Sequence, residues 1–257
     1  MPAYNEEKRI GITLESYLNF FKEKKKNKEL DDFEILVVIN HSSDRTEEVV
    51  RGFQENNKEL LFLNLERLGK GFAIIEGFKY ALEHNFDLIG FVDADMATPA
   101  FAFFDLIKNI GNSAGIIASR WIKGSVIKTK QTFLRKITSR GFNFIVRVLF
   151  LMPYKDTQCG AKLFKKNVIE KIANELSITE WAFDVNLLYL CKKSRFRIKE
   201  HPTVWEDKKE SKIDLGKVPI QMFSGILRLR LINSFFEPLL RPVKFILKTA
   251  DKLINKR

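Results

Sequence analysis

Runs of apolar residues alternate with amphipathic segments along the first half of the chain. Runs such as EILVVI and LIGFV are continuous, which is typical of parallel strands covered on both faces. The segments between them repeat apolar residues at helical spacing. The pattern predicts strands at Glu34–Ile39, Leu61–Leu65, Leu88–Val92 and Ile116–Ser119, and helices at Glu6–Lys26, Asp44–Asn56 and Lys70–His84. This order predicts an α/β fold: an open, doubly wound, mostly parallel, Rossmann-like sheet with helices on both faces.

The second half of the chain carries longer helical patterns and a distinctive tail. Helices are predicted at Thr129–Leu151, Trp181–Lys192 and Gly216–Ile232. From Val243 onward a lysine recurs at every fourth position, at Lys244, Lys248, Lys252 and Lys256, opposite an apolar face. Such a helix is either an ordinary surface helix with solvated lysines or a C-terminal amphipathic helix lying on anionic lipid. We therefore divide the chain into a main domain, residues 1–232, and a basic, membrane-associating tail, residues 233–257.

The first residues, MPAYNEEKRI, have the pattern of a turn and a helix start. Pro2 and Asn5 are predicted turn residues, and Glu6 and Glu7 suit a first helical turn. In an alternating fold this turn would follow a strand, and none precedes it here. Either the sequence lacks a first strand or the fold begins at a helix, and the pattern leaves both open.

Composition and charge narrow the class of protein. With 257 residues, of which 45% are hydrophobic, the chain can bury a full core. Two cysteines are too few for a disulfide framework, and no run approaches the ~18 apolar residues of a membrane span. Residues 1–110 have a net charge of −6 and residues 111–257 one of +18. The basic half predicts an anionic partner, and because no nucleic-acid-binding motif is present we expect a membrane surface rather than nucleic acid.

Two carboxylates follow the predicted strand Leu88–Val92 in the stretch FVDADMATPA. Aspartates are common in such loops, where they accept hydrogen bonds from turn amides and cap the next helix. However, Asp93 and Asp95 are two positions apart, so in an extended segment their like charges point to the same side. Mg²⁺ or Mn²⁺ between them would offset this repulsion and is commonly shared with substrate phosphate. The sequence predicts a metal and diphosphate site at the carboxyl end of this strand, where ligands of such sheets bind.

Seven ordered motifs carry a resemblance to a known family: PAYNEE, RLGKGFAI, DAD, ASRWIKGS, DTQCGAKLF, WAFDV and W…SK, from Pro2 to Lys212. In this order they resemble the inverting family-2 glycosyltransferases of the GT-A fold. DTQCGAKLF followed by WAFDV is most similar to the dolichyl-phosphate β-glucosyltransferases, and the dolichyl-phosphate mannose synthases are more distant. The resemblance covers nearly the whole chain.

The resemblance implies a donor site and a metal site. The metal ligands would be Asp93 and Asp95, with Asp95 as the more direct ligand. The donor would contact Pro2, Tyr4, Glu6, Asn40, Lys70, Asp93 and Gln158. The family usually has an acidic pair at the end of the second strand, where this chain has Asn40 and His41. The Asn40 amide can still pair with a uracil ring, since it both accepts and donates. Mannose synthases often have Gln where this chain has Ala97.

On the acceptor side the resemblance implies several basic residues and one carboxylate. Arg120 and Lys212 match catalytic positions near the sugar and the lipid phosphate, and Arg135 and Arg140 match acceptor-phosphate positions. Arginine suits this task because its planar fork binds phosphate in a bidentate fashion. Asp184 matches the family's general base. Because a phosphomonoester with a second pKa of about 6 is already mostly deprotonated at neutral pH, Asp184 could instead orient the acceptor, or only begin a helix.

These expectations define one leading function. The chain would transfer a hexose, glucose from UDP-glucose, to a polyprenyl phosphate of the dolichyl type, with inversion and with Mg²⁺ or Mn²⁺ as cofactor. It would act as a peripheral protein on the cytoplasmic face of a membrane. The alternatives are a GDP-mannose donor, a saccharide acceptor, or a catalytically silent sugar-nucleotide or membrane-binding protein.

Overall fold

The computed structural model describes residues 1–128, 133–176, 182–206 and 218–233. Strands in these ranges are β1 (Pro2–Ala3), β2 (Ile35–Asn40), β3 (Leu60–Leu65), β4 (Leu88–Val92), β5 (Gly115–Ser119), β6 (Val126–Ile127), β7 (Ala161–Lys165), β8 (Ile198–Pro202) and β9 (Val204–Trp205). Helices are α1 (Ile10–Lys26), α2 (Thr46–Gln54), α3 (Lys70–Glu83), α4 (Ala100–Asn109), α5 (Phe133–Phe150), α6 (Lys166–Ile172), α7 (Phe183–Lys193) and α8 (Val218–Ile232). A 3-10 turn, Ala173–Glu175, follows α6.

The strands form three sheets in which parallel pairing predominates. One sheet has the order β1-β2-β3 and is parallel throughout. The second has the order β4-β7-β5-β8, in which β5 and β8 are parallel and β7 runs antiparallel to both of its neighbours. The third is the short parallel pair β6-β9. The predicted α/β class with a mostly parallel sheet is thus confirmed, with β7 as an antiparallel insertion.

Apolar side chains from the strands enter two cores, one on each face. In β4, Ile89 and Phe91 pack with α3, α6 and α7, whereas Val92 packs with α1 and α4. In β5 the same alternation sends Ile117 to the first core and Ile116 to the second. Fully burying a side chain of this size contributes about 1.5–3 kcal/mol. Helices on both faces therefore stabilise the strand ends on which the candidate site is built.

Two expectations from the sequence need correction at the strands. The turn expected at Pro2 is wrong, because Pro2 and Ala3 pair with β2 as β1. Proline is tolerated there because the Val38 amide donates to the Met1 carbonyl and the Met1 nitrogen to Leu36, so the pairing does not use the Pro2 nitrogen. The strand β7 was not predicted, since lysines interrupt its short apolar run.

The helices begin and end close to the predicted positions. Helix α1 starts at Ile10 rather than Glu6, after a turn in which the amide of Ile10 donates to the Glu6 carbonyl. Helix α8 lies within the predicted Gly216–Ile232. The tail from Val243 lies outside the described residues, and the tail and the domain division at residue 233 remain predictions. None of the helices in the described ranges combines the length and the apolar character that crossing a bilayer requires.

Candidate active site

The loop after β4 holds Asp93 and Asp95 in a fixed conformation. The amide of Asp93 donates to the Gly160 carbonyl at 3.1 Å, so the turn before β7 extends the pairing by one residue. From the other side, the Thr13 hydroxyl of α1 donates to the Ala94 carbonyl at 2.7 Å. One hydrogen bond thus holds the backbone of Asp93 and the other that of Ala94, which lies between the two aspartates. The side chains are therefore presented by a rigid loop at the carboxyl end of a buried strand.

Lys70 stands at the first position of α3 and forms an ion pair with Oδ1 of Asp93. The residue before it, Gly69, has φ +133°, a conformation that favours glycine. Burial lowers the pKa of Lys70, but the charges of Asp93 and then Asp184 outweigh it, so the pKa lies above its ordinary value. Lys70 consequently stays charged and joins two of the predicted site carboxylates electrostatically.

A close contact between two helix starts brings Asp184 toward this cluster. A Cβ on Gly71 would lie 2.6 Å from the ring of Phe183, so only glycine lets the first turn of α3 approach the first turn of α7 so closely. Asp184 is the second residue of α7 and is buried. Its Oδ1 accepts a hydrogen bond from Nζ of Lys162 at 2.5 Å. The structure therefore places Asp184 near Lys70 and Asp93.

The carboxylate charges at the site are destabilised by burial and by their mutual repulsion, and a cation would offset this. Burial, and then the charge of Asp93, raises the pKa of Asp95. Burial also raises the pKa of Glu6, although Arg9 binds its two oxygens at 2.6 and 2.7 Å. Among the described residues, no group of three or more His, Cys, Asp or Glu side chains could hold a metal alone. Two hard carboxylates at one site fit a Mg²⁺ or Mn²⁺ ion that takes its other ligands from phosphate and water.

The expected nucleotide side is built from the N-terminal segment and the end of β2. The amide of Asn5 donates to the Ser42 hydroxyl at 3.0 Å, and that of Glu6 to the Thr46 hydroxyl at 2.8 Å. These bonds fasten the loop after β1 to the loop after β2 and to the start of α2. Asn40, the last residue of β2, is buried, and its Oδ1 has no hydrogen-bond partner among the described residues. An unpaired buried amide oxygen suits a ligand that brings a donor.

The remaining predicted donor residues lie around this loop and around β7. Pro2 lies in β1, and about half of the Tyr4 side chain is exposed to solvent. Gln158 has a buried side-chain nitrogen, Nε2, without a partner in the described part of the chain. Cys159 is buried, and burial raises the pKa of its thiol to about 12. A thiol that stays protonated at neutral pH is a poor nucleophile, which agrees with a structural role for Cys159.

Arg120, at the end of β5, is held by Asp156. Its Nε and Nη2 donate to the two carboxylate oxygens at 2.7 and 2.9 Å, and its backbone amide donates to Oδ2 at 2.9 Å. Burial raises the pKa of Asp156, but the charge of Arg120 outweighs it and the pKa lies below its ordinary value. One edge of the guanidinium is thereby used within the protein. Only the opposite edge of Arg120 remains for a substrate phosphate.

Aromatic rings join Arg120 to the predicted acceptor residues. The Arg120 guanidinium carbon lies 5.2 Å from the ring centroid of Trp205 and 5.6 Å from that of Trp121. Arg140, an exposed residue of α5, lies 5.0 Å from the Trp121 ring. Arg120 and Arg140 therefore both lie against the Trp121 ring. The Arg135 side chain and Lys212 lie outside the described residues, so their roles remain predictions.

Sequence reasoning assigned no role to Asp156, Gly160 or Lys162. A Cβ on Gly160 would lie 1.9 Å from Oδ2 of Asp93, so this glycine allows the carboxylate to occupy its position. Lys162, whose side chain is fully buried, forms an ion pair with Asp184, and Asp156 forms one with Arg120. One signal was present, since a lysine within a short apolar strand is rarely buried without a carboxylate partner. The identity of that partner, 22 residues away, is not readable from spacing.

Comparisons with known proteins identify the family and the fold. Residues 1–173 match the family described as Glycosyl transferase family 2. The chain is 35% identical to the dolichyl-phosphate β-glucosyltransferase of Dictyostelium discoideum, over 90% of this chain and 72% of that protein. It is 28% identical to the enzyme of the same name from Homo sapiens, over 90% and 74%. Its fold is similar to that of glucosyl-3-phosphoglycerate synthase from Mycobacterium tuberculosis, solved with Mn²⁺ and UDP-glucose, with a TM-score of 0.60, 15% identity and coverage of 88% and 76%.

The family match covers most of the chain, and several relatives reach 30% identity or more over about 70% of their own length. The resemblance to dolichyl-phosphate β-glucosyltransferases is confirmed. The GT-A-like fold is confirmed by the structural neighbours. This chain belongs to glycosyl transferase family 2.

Proposed function

We propose that this protein is a metal-dependent, inverting glycosyltransferase that moves glucose from UDP-glucose to a polyprenyl phosphate of the dolichyl type. The observation that carries the proposal is the convergence of Asp93, Lys70 and Asp184 at one strand end, in a chain 35% identical to a dolichyl-phosphate β-glucosyltransferase. Each of these side chains has a task in transferring a sugar from a diphosphate. The transfer itself forms a bond from an acceptor phosphate oxygen to the anomeric carbon and releases UDP with the electron pair of the broken bond.

The donor end of the proposal is supported by the carboxylate pair and by Asn40. Asp93 and Asp95 would hold a divalent cation that neutralises charge on the departing diphosphate. A structural neighbour of the same fold was solved with Mn²⁺ and UDP-glucose, which makes Mn²⁺ the first cofactor to test. The unpaired Asn40 Oδ1 would accept from the uracil ring N–H. Lys70, charged at the start of α3, would donate to the diphosphate oxygens.

The acceptor end is supported by Arg120, Arg140 and Asp184. The free edge of the Arg120 guanidinium and the nearby Arg140 would bind the acceptor phosphate, and Lys212 would complete the set. Since that phosphate is mostly ionised at neutral pH, with a second pKa of about 6, it needs no general base. Asp184 would then orient the attacking group in line with the departing diphosphate, which is where positioning lowers the barrier.

An exposed apolar surface supports docking on a membrane. Helices α5 and α8 are in contact, and the α5–α8 surface is defined by six exposed, large apolar side chains on them and at the end of α5. These are Phe144, Val148, Leu151, Phe223, Leu227 and Leu231, of which Leu151 directly follows α5. Their spacing puts each set on one side of its helix. The exposed Arg147 lies beside the apolar residues of α5, in a half of the chain with a net charge of +18. An apolar stripe flanked by basic residues fits an anionic leaflet, in line with a peripheral protein at the cytoplasmic face.

The test is a transfer assay with matched donors and acceptors. Purified protein is incubated with a short polyprenyl phosphate, Mn²⁺, and either UDP-glucose or GDP-mannose, and the lipid fraction is analysed for linked sugar. We expect product from UDP-glucose, sensitive to a chelator. Product from GDP-mannose alone would overturn the donor assignment, and sugar transferred only to a saccharide would overturn the acceptor. No product with any pair would favour a silent binding protein.

A further inference from the structure

A lysine is buried in the middle of the second sheet. Lys162 belongs to β7, between β4 and β5, opposite Phe91 on one side and Ile117 on the other. Its exposed fraction is 0%. The surrounding side chains, which include Phe91, Ile117 and Phe183, belong to an apolar core. Placing an ammonium group here is costly unless the charge is paired and hydrogen-bonded, so its contacts indicate why it is there.

The Lys162 ammonium has three close partners. Nζ lies 2.5 Å from Oδ1 of Asp184 and 2.6 Å from the carbonyl oxygen of Cys159. It also lies 5.3 Å from the centroid of the Phe91 ring. Two of these contacts reach toward the candidate site, because Asp184 is a site carboxylate and Cys159 precedes the glycine that backs Asp93. A purely apolar residue would fill this space without either contact.

One carboxylate oxygen of Asp184 is used within the protein. Oδ1 accepts the hydrogen bond from Lys162, whose ammonium lies in the apolar core. The charge of Asp184 also acts on Lys70, on the donor side, after that of Asp93. Asp184 therefore lies between a buried lysine that belongs to the core and a site lysine that faces the donor. Because Oδ1 is used by Lys162, the acceptor in the proposed reaction would meet Oδ2.

We propose that Lys162 is a positioning residue: its buried ammonium fixes the rotamer of Asp184 so that this carboxylate orients the acceptor. The inference rests on the proposed function, since it assigns Asp184 a role in that reaction. It also explains why a lysine is kept where a leucine would pack at lower cost. Lys162 itself does not touch the substrate and acts only through Asp184.

The test combines kinetics with thermal unfolding in the whole chain. Lys162→Met keeps the length of the side chain and removes the charge, leaving a buried carboxylate unpaired. We expect kcat for glucose transfer to fall about 100-fold, because an error of about 1 Å in positioning has this effect. The KM for UDP-glucose should change less than about threefold, since Lys70 and Asp93 remain in place. The melting temperature should fall by about 10 °C.

A double variant separates positioning from structural support. In Lys162→Met/Asp184→Asn no buried charge is left unpaired, so we expect the melting temperature to recover most of its loss. The kcat should stay as low as in Asp184→Asn alone, within about threefold, because Lys162 acts through Asp184. Lys165→Met, in the same strand but partly exposed, is the matched control and should keep the activity of the unmodified protein.

The outcomes are distinct. A Lys162→Met protein that melts early yet transfers glucose at the normal kcat would overturn the inference and leave Lys162 a structural residue. Independent, multiplicative losses in the double variant would also overturn it, because Lys162 would then act without Asp184. If the unmodified chain transfers no sugar, the proposed function fails, and this inference fails with it.

Discussion

Gly160 should not tolerate even one added methyl group. An alanine Cβ at this position would lie 1.9 Å from Oδ2 of Asp93 and 2.4 Å from its Cγ. To reach the 3.4 Å of an ordinary contact, the carboxylate has to retreat by about 1.5 Å. A shift of about 1 Å at a reacting centre costs about 100-fold in rate, so Gly160→Ala should lose at least this much activity. Because Asp93 also pairs with Lys70, both the metal ligand and its counter-charge would move.

The assay is the Mn²⁺ dependence of glucose transfer, with Mn²⁺ binding in the presence of UDP measured by calorimetry and the fold followed by thermal unfolding. Gly160→Ala should weaken Mn²⁺ binding as well as the rate, while the melting temperature falls by only a few degrees. Gly52→Ala, in α2, is the matched control, because its Cβ would meet nothing within 4 Å. Normal turnover and normal Mn²⁺ binding by Gly160→Ala would refute the claim that this glycine sets the position of Asp93.

Three further predictions follow from the same geometry. Asp95→Asn keeps an acceptor for the Ala97 amide, 2.9 Å from Oδ1, but removes a partly buried charge, so transfer should be lost while the metal-free melting temperature stays equal or rises. A fall of several degrees would contradict this. Asp156→Asn should lower the free energy of unfolding by about 3 kcal/mol at pH 7. Because the folded pKa of Asp156 is depressed, the stabilisation by its carboxylate is present above the ordinary pKa of 3.8 and is lost as the pH falls through the folded pKa. In urea titrations the difference in unfolding free energy between Asp156→Asn and the unmodified protein should therefore disappear in acid. A difference that does not change with pH would exclude the ion pair as its source. Val148→Asp with Leu151→Asp should reduce sedimentation with anionic liposomes at least tenfold and spare transfer to a short soluble acceptor; unchanged sedimentation would move the lipid contact off the α5–α8 surface.

The fold was predictable where a strand is buried on both faces, because such a strand is visible in the sequence as a continuous apolar run. The runs at β2, β4 and β5 were assigned correctly because strands covered by helices on both sides need continuous apolar residues. The run at β7 is AKLFK, too short and too charged for this signal. Its strand conformation depends on pairing with β4 and β5, which come from distant parts of the chain. The polar edge strand β8 was missed for a similar reason.

The candidate site was predictable only where the interacting residues lie close together in the sequence. The pair Asp93 and Asp95 is visible as a local repeat, and its position at a strand end follows from the fold class. The partners that fix these residues are not local: Gly160 backs Asp93, and Lys162 holds Asp184, from a strand that the pattern did not predict. Such contacts are set by tertiary packing and not by sequence spacing.

Charges of opposite sign alternate along the site, from the core of the protein to its surface. Lys162 pairs with Asp184, the Asp184 charge acts on Lys70, and Lys70 pairs with Asp93, so cations and carboxylates alternate from the core outward. At the outer end lies Asp95, for which the described part of the chain shows no ion pair, and burial together with the Asp93 charge raises its pKa. The inner charges are therefore paired within the protein, whereas a bound cation would offset the charge of Asp95. If the proposed function holds, that cation would arrive together with a diphosphate, and metal binding would be coupled to donor binding.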